Sequence, residues 1–332
     1  MQKDILIVDD ESSLRRTLSI SLQQRGFSTV LCENGINALK TLDLHVKNGF
    51  PPDIMVVDIK LPDIDGIKLI KIVKFQYPNI PIIIITGYKE LYSGEDIENL
   101  NVRGFLEKPF SADALALQFD EILRERDTVP SPLTSESEKV SPVVSAYLLL
   151  KLNENCNFFE TYRKLYFMEN VVYCDALQGD FDICMLLHTG SIEELKKFYK
   201  DKIMGSKEIK EADFLEIRKP ILEENTNTII KNAEEALAED NQIFGKGRNM
   251  SVCVCSYVFI EVEKEKLDKI YPSLRLNDNV VYCDYTDGKY DLILFIQGND
   301  FEQIDRIIEN KIIGLDGILK VKECPILNFF DM

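Results

Sequence analysis

"ILIVDD", residues 5–10, runs four apolar residues straight into two adjacent aspartates. A short apolar run bounded by charge suits a strand buried on both faces. Two carboxylates at its mouth repel each other, and each resists losing water. Either both are solvated in a loop, or something positive belongs between them. Working outward, the runs "STVLC" (28–32), "IMVV" (54–57), "IPIIII" (80–85) and "RGFLE" (103–107) repeat the strand signal. Helical spacings lie between them, as in Leu14, Leu18 and Leu22 or Ile67, Ile70 and Val73. Five strands alternating with helices predict an α/β domain over residues 1–127. Its sheet is five-stranded, parallel and doubly wound (flavodoxin-like), with right-handed crossovers.

On this plan the polar residues converge. Asp9 and Asp10 follow the first strand, Asp58 ends the third, Thr86 ends the fourth and Lys108 follows the fifth. All lie at carboxyl ends of parallel strands, where open α/β sheets form their functional crevice. Three carboxylates gathered there call for a cation, and hard oxygen ligands with room for water suit Mg²⁺. An ammonium and a hydroxyl nearby suit a group with several anionic oxygens, such as a phosphoryl.

Residues 127–142, "DTVPSPLTSESEKVSP", hold three prolines, four serines and two threonines with little apolar content. This predicts a flexible linker over 128–142. Beyond it the chain repeats. Residues 170–203 align without gaps to 279–312, with 11 of 34 positions identical. Such self-similarity marks a duplicated structural unit. Each copy reads as βαββαβ, which predicts two α+β ferredoxin-like domains, 143–219 and 250–332. Residues 220–249 between them include a helix, "TIIKNAEEALAED", and a Gly-containing turn, "FGKGRN". Gly179 and Gly288 are expected to take the hairpin conformation that other residues avoid, with Asp182 and Asp291 opening the next strand.

The 332 residues carry a formal net charge of −17. Residues 1–127 hold 15 basic against 20 acidic side chains, and the remainder 24 against 36. Neither part offers the basic footprint of nonspecific DNA binding. No run approaches the roughly 20 apolar residues of a membrane span. The N-terminal stretch lacks a signal-peptide core and cleavage site, so a cytoplasmic location is expected. Eight scattered cysteines read as reduced, buried small hydrophobes. His188, whose repeat partner is Gln297, reads as a structural histidine.

"ILIVDDE", "DIMVVDIKLPDIDG", "PIIIITG" and "GFLEKPF", in that order, resemble the receiver domain of two-component response regulators. The resemblance implies that Asp58 accepts a phosphoryl group from a phosphohistidine donor. It implies that Asp9, Asp10, Asp58 and the backbone carbonyl of Lys60 hold Mg²⁺, and that Lys108 contacts the phosphoryl oxygens. The Lys108–Pro109 bond is then cis, and Thr86 and Phe105 form the switch. A phenylalanine at 105 has no hydroxyl to donate, so packing alone would drive its movement. Gly66 is expected as a turn residue and Glu11 as a first-turn helix acid. Lys60 and Tyr88 sit where receivers tune dephosphorylation.

The "VVY…GDFD" and "VVY…GKYD" segments resemble the effector-binding domain of the Lrp/AsnC regulators. That likeness implies sheet-to-sheet pairing and a small effector, often an amino acid, near Gly179, Asp182, Gly288 and Asp291. Two copies in one chain could pair with each other and imitate the family's dimer. The family's helix-turn-helix domain has no counterpart here, so direct DNA binding is not expected. The expected function is a phosphorelay response regulator signalling through effector-binding domains. The alternative is a phosphorylation-controlled protein-interaction adaptor. The implied partners are a histidine kinase or phosphotransfer protein and a small metabolite, with Lrp/AsnC-type proteins or a second copy of the chain as alternatives. Residues 143–332 show no convergent acid, base and nucleophile set, so no enzyme is expected beyond phosphoryl transfer at Asp58.

Overall fold

The computed structural model describes residues 3–87, 100–128, 144–243 and 254–327, with only the backbone described at 126–128 and 234–243. The chain divides into two compact units, Met1–Val140 and Ser141–Met332. The expected 128–142 linker lies outside the described residues except for Thr128, and so do Tyr88, Cys253 and the turn at 244–249.

The first unit is β1 (Lys3–Val8), α1 (Ser12–Gln23), β2 (Phe27–Cys32), α2 (Gly35–Lys47), β3 (Ile54–Asp58), α3 (Gly66–Gln76), β4 (Ile82–Thr86), β5 (Gly104–Glu107) and α4 (Ala112–Thr128). The strands form one sheet in the order β2-β1-β3-β4-β5, and every pairing is parallel. Ile5 to Val8, Ile54 to Val57 and Ile82 to Ile85 are fully or almost fully buried. That is why these strands read as continuous apolar runs rather than alternating ones. On one face Ile5, Ile7, Ile54, Val56, Ile83 and Ile85 pack with Leu18 and Leu22 of α1 and with Leu115 and Phe119 of α4. The strand order reverses at β1/β3, which brings the ends of those two strands side by side.

The second unit contains the repeat: β6 (Val144–Leu152), α5 (Phe158–Tyr166), β7 (Val171–Leu177), β8 (Ile183–Thr189), α6 (Ile192–Phe198) and β9 (Ile209–Arg218). After α7 (Glu224–Ile243) come β10 (Val254–Val262), α8 (Leu267–Arg275), β11 (Val280–Asp287), β12 (Leu292–Gly298), α9 (Phe301–Ile307) and β13 (Ile318–Leu327). In both copies the second helix ends in a π-helical turn, Tyr199–Ile203 and Ile308–Ile313. The helix expected at 228–240 is longer than its apolar pattern and starts at Glu224.

Two separate sheets were the expectation. Instead the strands form one closed barrel, β10-β12-β11-β9-β6-β8-β7-β13. Each copy supplies four antiparallel strands, and two short ladders join them. Tyr285, Thr286 and Asp287 of β11 pair with Arg218, Ile217 and Glu216 of β9. Ile326 and Leu327 of β13 pair with Leu177 and Ala176 of β7. Closure removes the open edges that two isolated sheets would expose. Of the cysteines described, Cys32, Cys174, Cys184, Cys255, Cys283 and Cys324 are buried, Cys156 is half-buried, and all are free thiols.

Candidate functional site

The carboxyl ends of β1 and β3 place Asp9 and Asp58 together. Asp9 is fully buried and Asp58 is 5% exposed, whereas Asp10 faces solvent. Oxygens of Asp9, Asp10 and Asp58 lie within 4.8 Å of one another. Lys108 reaches in from the end of β5 and donates to Asp9 Oδ2 (2.7 Å) and Asp58 Oδ2 (2.6 Å). The remaining oxygens accept backbone donors: Asp9 Oδ1 from Glu11 N (2.8 Å) and Asp58 Oδ1 from Lys60 N (3.2 Å). The backbone N–H of Lys108 donates to Thr86 O (2.8 Å), which holds it at the end of β4, and the Lys108–Pro109 bond is cis as expected. Thr86 is fully buried at the end of β4, and Phe105 is half-buried on β5.

Burial pushes the Asp58 carboxyl above its ordinary range, against the pull of Lys108 and with a further push from Asp9. Burial opposes the charge on Lys108, but its bonds to Asp58 and Asp9 outweigh that and raise its pKa. Lys108 therefore stays cationic between the two carboxyl groups. The exposed Asp10 keeps the cluster open to a hydrated cation. A donor set of three carboxylates with solvent access fits Mg²⁺ chemistry.

The loop after Asp58 is built by residues that the motif alone left undistinguished. Gly66 does more than turn the chain. A Cβ there would lie 2.1 Å from Asp58 O and 2.6 Å from Ile59 Cα, so α3 can begin against this loop only with glycine. Asp63 is 9% exposed and accepts three backbone N–H bonds, from Gly35 (2.9 Å), Ile36 (2.7 Å) and Ile64 (2.8 Å). It ties the Asp58 loop to the first turn of α2, which Asn34 also caps through the Asn37 N–H (2.8 Å). Its partners are backbone groups of α2, so the sequence carried no side-chain signal for this tie. Glu11 is not the expected first-turn acid: it precedes α1 as its N-cap residue, without a capping side-chain bond, and accepts from Ser13 Oγ (2.6 Å).

In the second unit the two Gly–Asp turns serve the fold. Asp182 accepts from Leu152 N (2.7 Å) and Lys151 Nζ (2.9 Å), and Asp291 accepts from Val262 N (2.9 Å). Gly179 has φ +134°, as expected of its turn. Gly288 does not take a left-handed conformation, which corrects the expectation for it. Its constraint is space, because a Cβ would lie 2.5 Å from Leu215 of β9. The turns also meet each other: Phe181 and Tyr290, equivalent in the repeat, are buried with ring centroids 6.5 Å apart. His188 is held by Ser145 (Oγ to Nδ1, 2.5 Å), and burial lowers its pKa to about 4.

The barrel also holds a polar exchange that sequence reading passed over. Tyr147 OH of the first copy donates to Asp284 of the second (2.7 Å), and Tyr257 OH of the second donates to Asp175 of the first (2.7 Å). The two tyrosines are equivalent, as are the two aspartates. Tyr147 and Tyr173 hydroxyls are 3.0 Å apart. The shared "NVVYCD" was the signal, since an aspartate inside a buried strand needs a partner. Among the described residues no helix is long and apolar enough to cross a membrane.

Comparison with known proteins follows this division. The response regulator receiver domain family matches residues 5–120, and the Lrp/AsnC ligand binding domain matches residues 255–329. The DNA-binding transcriptional regulator NtrC of Proteus hauseri is 36% identical over 114 residues, 34% of this chain and 23% of that protein. The putative response regulator NtrX-like of Rickettsia conorii is 32% identical over 147 residues, 42% of this chain and 30% of that protein. The chain thus spans under a third of the length of these relatives. A CheY-like receiver domain structure from Methanospirillum hungatei is 25% identical, with TM-score 0.34, covering 38% of this chain and 98% of that one. Residues 5–120 are a response regulator receiver domain, and residues 255–329 an Lrp/AsnC ligand-binding domain.

Proposed function

We propose that the protein is a phosphorelay response regulator whose Asp58 takes a phosphoryl group from a histidine kinase or phosphotransfer protein. The observation that carries this is Lys108 bridging Asp9 and Asp58 with Asp10 at the solvent side. In the transfer, a carboxylate oxygen of Asp58 attacks phosphorus, the N–P bond of the donor phosphohistidine breaks, and the imidazole leaves with the electron pair. In this reading Lys108 accompanies the phosphoryl oxygens, and Thr86 turns its hydroxyl toward them. Phe105 follows by packing alone. Asp9, Asp10, Asp58 and the Lys60 carbonyl would hold Mg²⁺, which when bound neutralises charge on the transferring group.

The signal then passes to residues 143–332, where we read the first copy of the repeat as a second ligand-binding domain of the same kind. Both copies carry the same βαββαβ element order. The βαββαβ copies pair inside one chain, as the reciprocal tyrosine–aspartate bonds suggest, and bind a small effector. The adaptor alternative has one observation in its favour: the Gly–Asp turns are engaged with their own chain and with each other. We read the protein as carrying no enzyme activity beyond phosphoryl transfer and autodephosphorylation at Asp58.

The test is phosphoryl incorporation from a small phosphodonor. Wild type should gain one alkali- and hydroxylamine-labile phosphoryl group when Mg²⁺ is present, and chelation or Asp58→Asn should abolish the gain. Failure of wild type to incorporate, with Mg²⁺ and a donor competent on other receivers, would overturn the assignment.

A further inference from the structure

The two copies of the repeat share a backbone bond where the first strand ends. Asn153 N donates to Glu208 O (2.8 Å), and Glu263 N donates to Gly317 O (2.8 Å). Around that bond the copies differ. In the second copy Lys266 lies across it, donating to Asp316 (2.7 Å) and pairing with Glu263 (3.0 Å). Gly317, at φ +98°, is the residue that makes this possible, since a Cβ there would meet the Lys266 side chain at 2.7 Å. The position is filled by one ammonium between two carboxylates.

In the first copy the corresponding residues are Cys156 for Lys266, Asn153 for Glu263 and Lys207 for Asp316, with Glu208 where Gly317 stands. The electrostatics are inverted: the plugging ammonium is gone, and an ammonium and an amide now flank its place. A cavity of about 690 Å³ opens there. Lys164, Lys207 and Lys210 all line it. Glu208, on the same wall, is already engaged by Ser206 Oγ (2.5 Å). That bond, with Lys164 and Lys207 nearby, lowers the pKa of Glu208. Glu154 and Glu160 share the lining and would oppose a multiply charged anion such as phosphate.

We propose that this cavity binds a small carboxylate-bearing molecule through Lys207, Lys164 and Lys210, and that the second copy has lost the site to its own lysine. The proposal rests on the reading of the duplicated half as a ligand-binding unit, but it places the ligand away from the Gly–Asp turns. Volumes of this size are ordinary for small-molecule sites.

The test is calorimetric titration of the full chain with acetate, succinate and inorganic phosphate. Two variants accompany it. Lys207→Gln removes one donor at an exposed position. The combination Asn153→Glu, Cys156→Lys, Lys207→Asp and Glu208→Gly rebuilds the second copy's plug in the first. Wild type should bind acetate more tightly than succinate or phosphate, because Glu154 and Glu160 oppose both of the more highly charged anions. Lys207→Gln should weaken that binding at least tenfold, and the plugged variant should abolish it. If the plugged variant does not fold, Lys207→Gln decides alone. Absence of carboxylate binding in wild type overturns the proposal, as does tighter binding of phosphate. Undiminished binding in the variants also overturns this site, while leaving an effector elsewhere in the duplicated half.

Discussion

Single residues around Asp58 show how much chemistry a loop can hold in place. Lys108 is the only described cation bonded to both Asp9 and Asp58, so its removal would leave two buried carboxylates facing each other. Asp63 supports them from behind. Asp63→Ala strands three backbone donors and should cost about 3 kcal/mol or more in denaturant unfolding of the receiver. Gly66→Ala must force the Asp58 peptide aside and should cost roughly 1–3 kcal/mol or more by the same measurement, with slower phosphoryl incorporation. His188 gives a pH test. Its pKa falls from 6.5 unfolded to about 4 folded. The unfolded chain takes the proton first, so stability is complete above pH 6.5 and declines as pH drops toward 4, by at most about 3 kcal/mol. His188→Gln, which copies Gln297, should remove that decline in urea midpoints measured at pH 7 and pH 4.5. The acidic cluster and Lys108 were legible in sequence because each sits at the end of an unmistakable apolar run. Asp63 was not, because its partners are backbone groups 27 and 28 residues away that carry no side-chain signature.

At the scale of elements, every receiver strand could be located from its apolar run, and so could the duplicated strands. What periodicity does not encode is which strand pairs with which across the repeat. The joining ladders, β9 with β11 and β7 with β13, involve three and two residue pairs, too few to impose a pattern on the sequence. The tyrosine–aspartate exchange crosses the same junction. Tyr147→Phe leaves the half-buried Asp284 without its hydroxyl donor and should destabilise the duplicated half by about 1 kcal/mol. Tyr257→Phe should do the same through Asp175. Asp284 adds a pH dependence of its own, because burial raises its pKa in the folded chain. The stability it contributes is complete below the unfolded value and is lost as pH rises through the folded one. Asp284→Asn should therefore remove the part of the stability loss that sets in as pH rises above the ordinary carboxylate range. A profile identical to wild type would show that Asp284 is not the titrating group.

For the whole molecule, the internal pairing has a functional consequence. A barrel closed within one chain leaves the eight strands without a free edge, so the duplicated half does not need a second copy to complete its sheet. Pairing with another Lrp/AsnC-type protein through those edges would require opening the barrel. The copies also differ: Lys266 bonds Asp316 and Glu263 in the second, whereas Cys156 stands at its place in the first. On the proposed function, phosphoryl acceptance by the first unit and ligand binding by the second are coupled, and such coupling must be reciprocal. The most direct measurement is hydrogen exchange across the full chain, before and after phosphorylation, in wild type and Asp58→Asn. The account predicts altered protection within residues 144–327 of phosphorylated wild type and none in the variant treated alike. Stoichiometric phosphorylation of Asp58 with changes confined to residues 3–128 would contradict it.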